Sequence, residues 1–153
     1  RRRPHHLARA APGGGGPVSD QTLGGEPHEP ERAERRYTVE EAEATLPEVR
    51  ERLERIQRAR QEIFRSSAVI KQHVASDGGG FARPEYWEAL ETLRSDVTEL
   101  LERDIILRDP ETGLIDFPSD REGRRILLCW RLGEDHVAHW HEPNTGFAGR
   151  RKL

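Results

Sequence analysis

Cysteine occurs once in the 153 residues, at Cys129. A single thiol excludes an internal disulfide and fits a reducing compartment, so a cytoplasmic protein is expected. Methionine is absent even at position 1, which leads us to expect a start that is truncated or processed. Aromatic residues make up 6% and apolar residues 33% of the chain, so the core must be small and well patterned. No apolar run approaches the ~20 residues of a membrane span. None near the start resembles the apolar region of a secretion signal. Charge of one sign is not in excess either. The net charge of −3 gives no global attraction to nucleic acid or to an anionic membrane, and neither partner is expected. Lysine stands only at positions 71 and 152, so 23 of the 25 basic residues are arginine. We read this bias as compositional rather than mechanistic.

Residues 1–36 form one compositional block. They hold six of the 14 glycines, five of the 10 prolines and no aromatic residue. Such a segment cannot bury enough apolar surface to offset its ordering entropy, so it is expected to be a disordered tail. Its seven arginines stand against five acids, which favours a solvated tail over a nucleic-acid arm. A single domain is then expected over residues 37–153.

Thr38 and Glu41 have the spacing of a capping box, in which hydroxyl and carboxylate each serve an orphan backbone N–H. Val39, Ala42 and Leu46 predict a short helix, and Pro47 predicts a kink or a restart. Val49, Leu53, Ile56, Ile63, Ile70 and Val74 then follow steps of three and four, with Arg60 and Ser67 in the remaining slots. This heptad-like, coiled-coil stripe predicts a helix over 48–74, roughly 40 Å long. Glu48/Arg52, Glu51/Arg55 and Glu54/Arg58 are i,i+4 pairs in the favourable order. Asp77-Gly78-Gly79-Gly80 ends the run, and Pro84 opens a second helix with Tyr86, Leu90, Leu93, Val97 and Leu100 at heptad spacing. The two should pack as a long antiparallel helical hairpin.

After Arg103 the period changes to two. Ile105 to Arg108, a turn over Asp109-Pro110-Glu111-Thr112-Gly113, and Leu114 to Phe117 predict a β-hairpin stopped by Pro118. Arg124 to Leu132 and Val137 to His141 predict two further strands around a Gly133-Glu134-Asp135 turn. Two helices followed by strands imply an α+β fold, with a small four-stranded antiparallel sheet packed on the hairpin. Sorting by apolarity sets Ile126, Leu128, Trp130, Leu132, Ala138 and Trp140 on one face. Leu127, Cys129, Arg131, Val137, His139 and His141 share the other. With a three-residue turn this register brings Cys129 opposite His139.

The runs DIILRDPETGLIDFP, GRRILLCWRLGED and WHEPNTGFAGR, with YTVEEAEATLPEVR at the opening, resemble an uncharacterised prokaryotic family, the domain of unknown function 2203. The resemblance covers about residues 37–153 and implies no known activity or cofactor. Asp116, Phe117, Cys129, Trp130, Gly133, Glu134, Trp140, His141, Glu142, Gly146, Phe147, Gly149 and Arg150 match the family pattern. His136, His139 and Pro143-Asn144-Thr145 depart from it, so a function resting on His136 or His139 would not be shared by the family.

Cys129, His136, His139, His141 and Glu142 are the densest group of chemically capable residues. Thiolate with imidazole suits zinc, and Cys129, His139 and His141 are the candidate ligands. Cys129 with His141 is alternatively a nucleophile and its base. The plainer reading makes Cys129 an inert core residue. Arg131, inside an apolar strand, wants a carboxylate from Glu134, Glu142 or Glu111. Trp130 and Trp140 read as core or interface residues before they read as stacking platforms. No phosphate-loop or dinucleotide fingerprint is present.

Two functional classes follow. The first is a small ligand-binding or interaction module whose polar C-terminal site comprises Arg131, His141, Glu142 and Arg150, meeting a small anion or a partner's carboxylate. Glu142 would orient one of the two arginines. The second is a metalloprotein or enzyme centred on Cys129 and His141. Apolar Leu127 and Val137 on the second sheet face predict a homodimer.

Overall fold

The computed structural model describes residues 32–77 and 82–153. The expected tail up to residue 31 and the glycine run Gly78-Gly79-Gly80 lie outside the described residues. Helix α1 spans Val39–Asp77 and helix α2 spans Pro84–Glu102. The capping box forms as the spacing requires. Thr38 N donates to Glu41 Oε2 at 2.8 Å, and Glu41 N donates to Thr38 Oγ1 at 3.1 Å. The expected short first helix is not a separate element, because Pro47 lies inside a continuous α1. Leu46 and Val49 on either side of it are buried in the main core, and packing on that scale outweighs one missing backbone donor.

The helices run antiparallel. Glu48 meets Arg103, and Arg52 and Arg55 meet Asp96. Extending these partners puts Pro84 level with roughly residue 67 of α1, so the last turns of α1 have no α2 beside them. Burial fades accordingly. Val49, Leu53 and Ile56 are fully buried, whereas Val74 is 53% exposed. The favourable i,i+4 series is realised only in part. Arg52 keeps Glu48 at 2.9 Å, but Arg55 turns across the seam to Asp96 at 2.7 Å, a more buried acceptor than Glu51.

The chain then forms strands β1 (Ile106–Asp109), β2 (Leu114–Arg121), β3 (Arg124–Arg131), β4 (His139–His141) and β5 (Arg151–Lys152). They make one antiparallel meander in sequence order. The fold is α+β as expected, with five strands rather than four. The fifth is a two-residue polar strand that carries no alternating apolar signal.

Pro118 does not stop β2, which continues through it to Arg121. Its carbonyl accepts from Tyr37 N at 2.7 Å, so its backbone edge points away from β3, where a missing N–H costs no ladder bond. Glu122 and Gly123, with φ of 52° and 74°, close the β2–β3 hairpin in the manner of a two-residue primed turn.

One face of the sheet packs on the helices. Ile115, Phe117, Ile126, Leu128 and Trp130 join Leu46, Val49, Leu53 and Ile56 in a single buried cluster. Val137 also belongs to that cluster, contrary to its expected place on the opposite face. Its N–H donates to Glu43 Oε1 at 2.5 Å, which holds it in the connection before β4. Tyr37 ties the start of the domain down. Its hydroxyl donates to the Arg103 carbonyl at 2.6 Å, and its ring meets Phe117 edge-on at 5.1 Å. Contacts reach slightly before it, since Glu34 pairs with Arg125 at 2.6 Å.

Candidate functional site

The strand register stacks residues in rows across the sheet. Asp116 on β2 faces Cys129 on β3, which faces His139 on β4. Leu127 faces His141 in the next row. Directly opposed residues project from one face. Because the alternate residues Phe117, Leu128 and Trp130 meet the helices, this set occupies the other face. The expected opposition of Cys129 and His139 is therefore realised.

Asp116 is the hub. It is 1% exposed. Arg108 Nε donates to its Oδ2 at 2.6 Å, and His141 Nε2 lies 3.1 Å from its Oδ1. His141 is 2% exposed, and its Nδ1 lies 2.7 Å from the Glu142 carbonyl. The Asp116 carboxylate, Cys129 Sγ and a His141 ring nitrogen lie within 4.8 Å of one another. Burial, and after it the neighbouring Asp116 charge, push the Cys129 thiol up to about 12.

This geometry opposes a Cys129–His141 nucleophile–base pair. The thiol is buried and kept protonated rather than activated. Both ring nitrogens of His141 face other groups.

Arg150 follows the turn Phe147–Gly149. Its Nη2 lies 2.7 and 2.8 Å from the Glu134 carboxylate oxygens, 3.0 Å from His139 Nδ1 and 3.4 Å from the Cys129 carbonyl. Glu134, not Glu142, thus orients Arg150, and His139 is turned to Arg150 rather than into the Asp116 cluster. The side chain of Arg150 is only 10% exposed, so its charge is spent internally. The loop before it packs tightly, for a Cβ on Gly149 would lie 2.5 Å from Thr145 Cβ.

Arg131 is exposed at the end of β3, not buried in an apolar strand, and its guanidinium sits 5.3 Å from the Phe147 ring centre. Its backbone N donates to Glu134 Oε2 at 2.8 Å. Of the four residues expected in one polar concavity, Glu142 lines a cleft of the described residues beside the β2–β3 turn. Arg131 and Arg150 share Phe147 and Glu134, and His141 lies beneath the surface.

That cleft has a volume of about 460 Å³. It opens between the β2–β3 turn and the C-terminal strands, and Arg121, Arg124, Arg125, Trp140, Glu142 and Arg151 line it. Arg121 and Arg124 flank the turn, while Arg151 stands opposite Trp140 across β4–β5. Arg121 and Arg151 lie 5.0 and 5.3 Å from the Trp140 ring centre. Among the described residues, Arg125 is neutralised by Glu34, whereas Arg121, Arg124 and Arg151 have no carboxylate partner.

Asp116 and Arg108 lie outside the expected site, and Glu134, expected as a partner for Arg131, pairs instead with the Arg150 guanidinium. An acid inside the run LIDFP was a signal for Asp116, since a charge between apolar strand residues needs partners. Nothing comparable marked the cleft arginines, which look like ordinary surface residues until the fifth strand brings Arg151 beside the hairpin tip.

No curated protein matches the chain, and no solved structure does. The family model for the uncharacterized conserved protein DUF2203 matches residues 35–153, and the chain belongs to that family.

Proposed function

We propose that this domain is a binding module for a small, multiply charged anion, held in the cleft around Trp140. One observation carries the reading: three arginines without a carboxylate partner among the described residues, Arg121, Arg124 and Arg151, converge on one concavity. Guanidinium groups recognise phosphate and carboxylate oxygens through paired N–H donors. Glu122 and Glu142, also in the lining, add acceptors for a ligand hydroxyl or ammonium group. The arginine-lined site expected around Arg131 and Arg150 moves to these residues, because Glu134 already neutralises Arg150.

Pyrophosphate is a suitable probe, followed by calorimetry and by tryptophan fluorescence in a Trp87→Phe background, in which Trp140 lines the cleft and the other remaining tryptophan, Trp130, is fully buried. Each lost charge-assisted contact corresponds to about 1.5–3 kcal/mol, or roughly 10- to 150-fold in affinity. Arg124→Ala and Arg151→Ala should weaken binding by that order and leave the fold intact, since neither residue carries an ion pair among the described residues. Absence of heat and of a fluorescence change at millimolar pyrophosphate, inorganic phosphate and citrate refutes the reading.

We further place the protein in the cytoplasm, on the strength of its single unpaired thiol. No helix among the described residues is long and apolar enough to cross a membrane. A homodimer completes the proposal. Neither Leu127 nor Val137, both buried, supports it; what supports it is the apolar surface of Phe64, Trp87 and Leu101, 66%, 61% and 63% exposed on the helices.

A further inference from the structure

We propose that Asp116, Cys129 and His141 form a binding site for a divalent transition-metal ion, with zinc the ion that their donor set fits best. The site is separate from the arginine cleft, and neither reading depends on the other.

The three ligand atoms come from three adjacent strands and lie within 4.8 Å of one another. A carboxylate oxygen, a thiolate sulfur and an imidazole nitrogen are all established zinc donors. Each residue is at most 2% exposed, so the donors are already gathered and shielded from water.

The arrangement around them is that of outer-shell support. His141 Nδ1 lies 2.7 Å from the Glu142 carbonyl, which can only accept, so metal binding through Nε2 calls for the tautomer protonated on Nδ1. The Nε2 lone pair of the neutral ring is then aimed at Asp116 Oδ1, 3.1 Å away. A neutral imidazole cannot donate to both acceptors. A cation between Nε2 and Oδ1 resolves this facing of two acceptors. The carbonyl on the far nitrogen is the contact that usually fixes a metal-binding histidine. Arg108 Nε occupies the other oxygen of Asp116 at 2.6 Å, leaving Oδ1 as the ligating atom. The ion displaces the Cys129 proton to solvent and binds the thiolate. The thiolate and the carboxylate supply two negative charges to the ion, the carboxylate being shared with Arg108. Three protein donors leave one position of a tetrahedral zinc without a protein ligand.

The rival account has no ion. His141 is then an imidazolium held by Asp116, and Cys129 is a bystander. Cobalt separates the two accounts, because cobalt bound through sulfur shows a thiolate-to-metal charge-transfer absorption in the near ultraviolet. Untagged full-length protein should carry close to one equivalent of zinc by elemental analysis after growth in zinc-supplemented medium. The zinc-stripped protein should develop the charge-transfer band on titration with cobalt chloride, saturating at one equivalent. Cys129→Ser should abolish the band. His141→Gln and Asp116→Asn should each weaken cobalt binding at least tenfold, with folding checked by far-ultraviolet circular dichroism. The wild-type spectrum decides even where a variant fails to fold. No band and no retained zinc in the wild-type protein overturns the proposal. Retained zinc that survives both Cys129→Ser and His141→Gln overturns it equally, since the ion would then sit elsewhere.

Discussion

Replacing Asp96 with asparagine asks whether the helical hairpin is closed by a buried charge cluster. Asp96 is 4% exposed and accepts from Arg52 Nη1 at 2.9 Å, Arg55 Nε at 2.8 Å and Arg55 Nη2 at 2.7 Å. A hydrogen bond to a charged group contributes about 1.5–3 kcal/mol. The three do not add. The Arg55 side chain is 38% exposed, so water rehydrates it once the carboxylate is gone. Arg52 is worse placed, with a side chain 16% exposed and a buried Nε that lacks a partner, although Glu48 still holds its Nη2 at 2.9 Å. We expect Asp96→Asn to cost about 2–3 kcal/mol, less than the roughly 3–5 kcal/mol lost when a fully buried pair is broken. For a domain of this size the melting temperature should fall by about 6–15 °C.

The pH dependence gives the sign of the effect. Burial opposes ionisation of Asp96, but hydrogen bonds and charge from Arg55 and Arg52 together hold its carboxyl below the ordinary value of 3.8. A carboxyl lowered by folding stabilises above its unfolded value, and that contribution is lost as pH falls through the folded one. Urea unfolding at several pH values is the assay. The gap between wild type and Asp96→Asn should be constant from pH 7 to about pH 5 and shrink below about pH 4. A gap under about 0.5 kcal/mol at pH 7, the range of an ordinary surface substitution, refutes the reasoning. So does a gap that persists unchanged to pH 2.

Gly113→Ala should destabilise by about 2–4 kcal/mol, from a strained left-handed backbone and an overpacked neighbour. The residue has φ of 68°, and its Cβ would lie 2.7 Å from Leu132 Cβ. Gly123→Ala is the internal control, because φ is 74° but nothing lies within 4 Å. It should cost only about 1 kcal/mol, and equal losses for the two in urea unfolding refute the close approach at Gly113. Sedimentation equilibrium at micromolar concentration should return twice the chain mass of 17.5 kDa, and a monomer refutes the homodimer.

The helices were legible because their signals are local. The Thr38–Glu41 box, the three-and-four spacing from Val49 to Ile56, and Pro84 at the start of α2 all act within a turn or two. Two misreadings came from assigning a local rule to a residue whose outcome is set at a distance. Pro47 breaks helices where nothing compensates, yet the core around Leu46 and Val49 carries α1 through it. Pro118 ends strands where its N–H is needed, and that depends on which way its edge points. Tyr37, 81 positions earlier, occupies that edge. β5 was invisible for a third reason. Two residues, Arg151 and Lys152, have no periodicity, and only their pairing with Trp140 and His139 makes them a strand.

The site divides the same way. Its register was readable, since apolar alternation through ILLCWRL sets Cys129 against His139, as observed, although residues 132–138 join the strands in place of the expected three-residue turn. Register fixes which residues share a face, but not which partner each side chain turns to. His139 and Asp116 flank Cys129 almost symmetrically, one on each neighbouring strand. The choice between them falls to a residue outside the register. Arg150 enters from the C-terminal loop, takes His139 at 3.0 Å and is neutralised by Glu134. His141, one row away on β4, reaches across β3 to Asp116 at 3.1 Å. Arg150→Ala therefore bears on the metal proposal without touching a ligand. It frees His139 to turn toward Cys129, and a fourth donor there should tighten cobalt binding while leaving the thiolate band in place. Weaker binding would mean that Arg150 holds the Cys129 strand in shape, and that the loop supports the site instead of competing for its ligands.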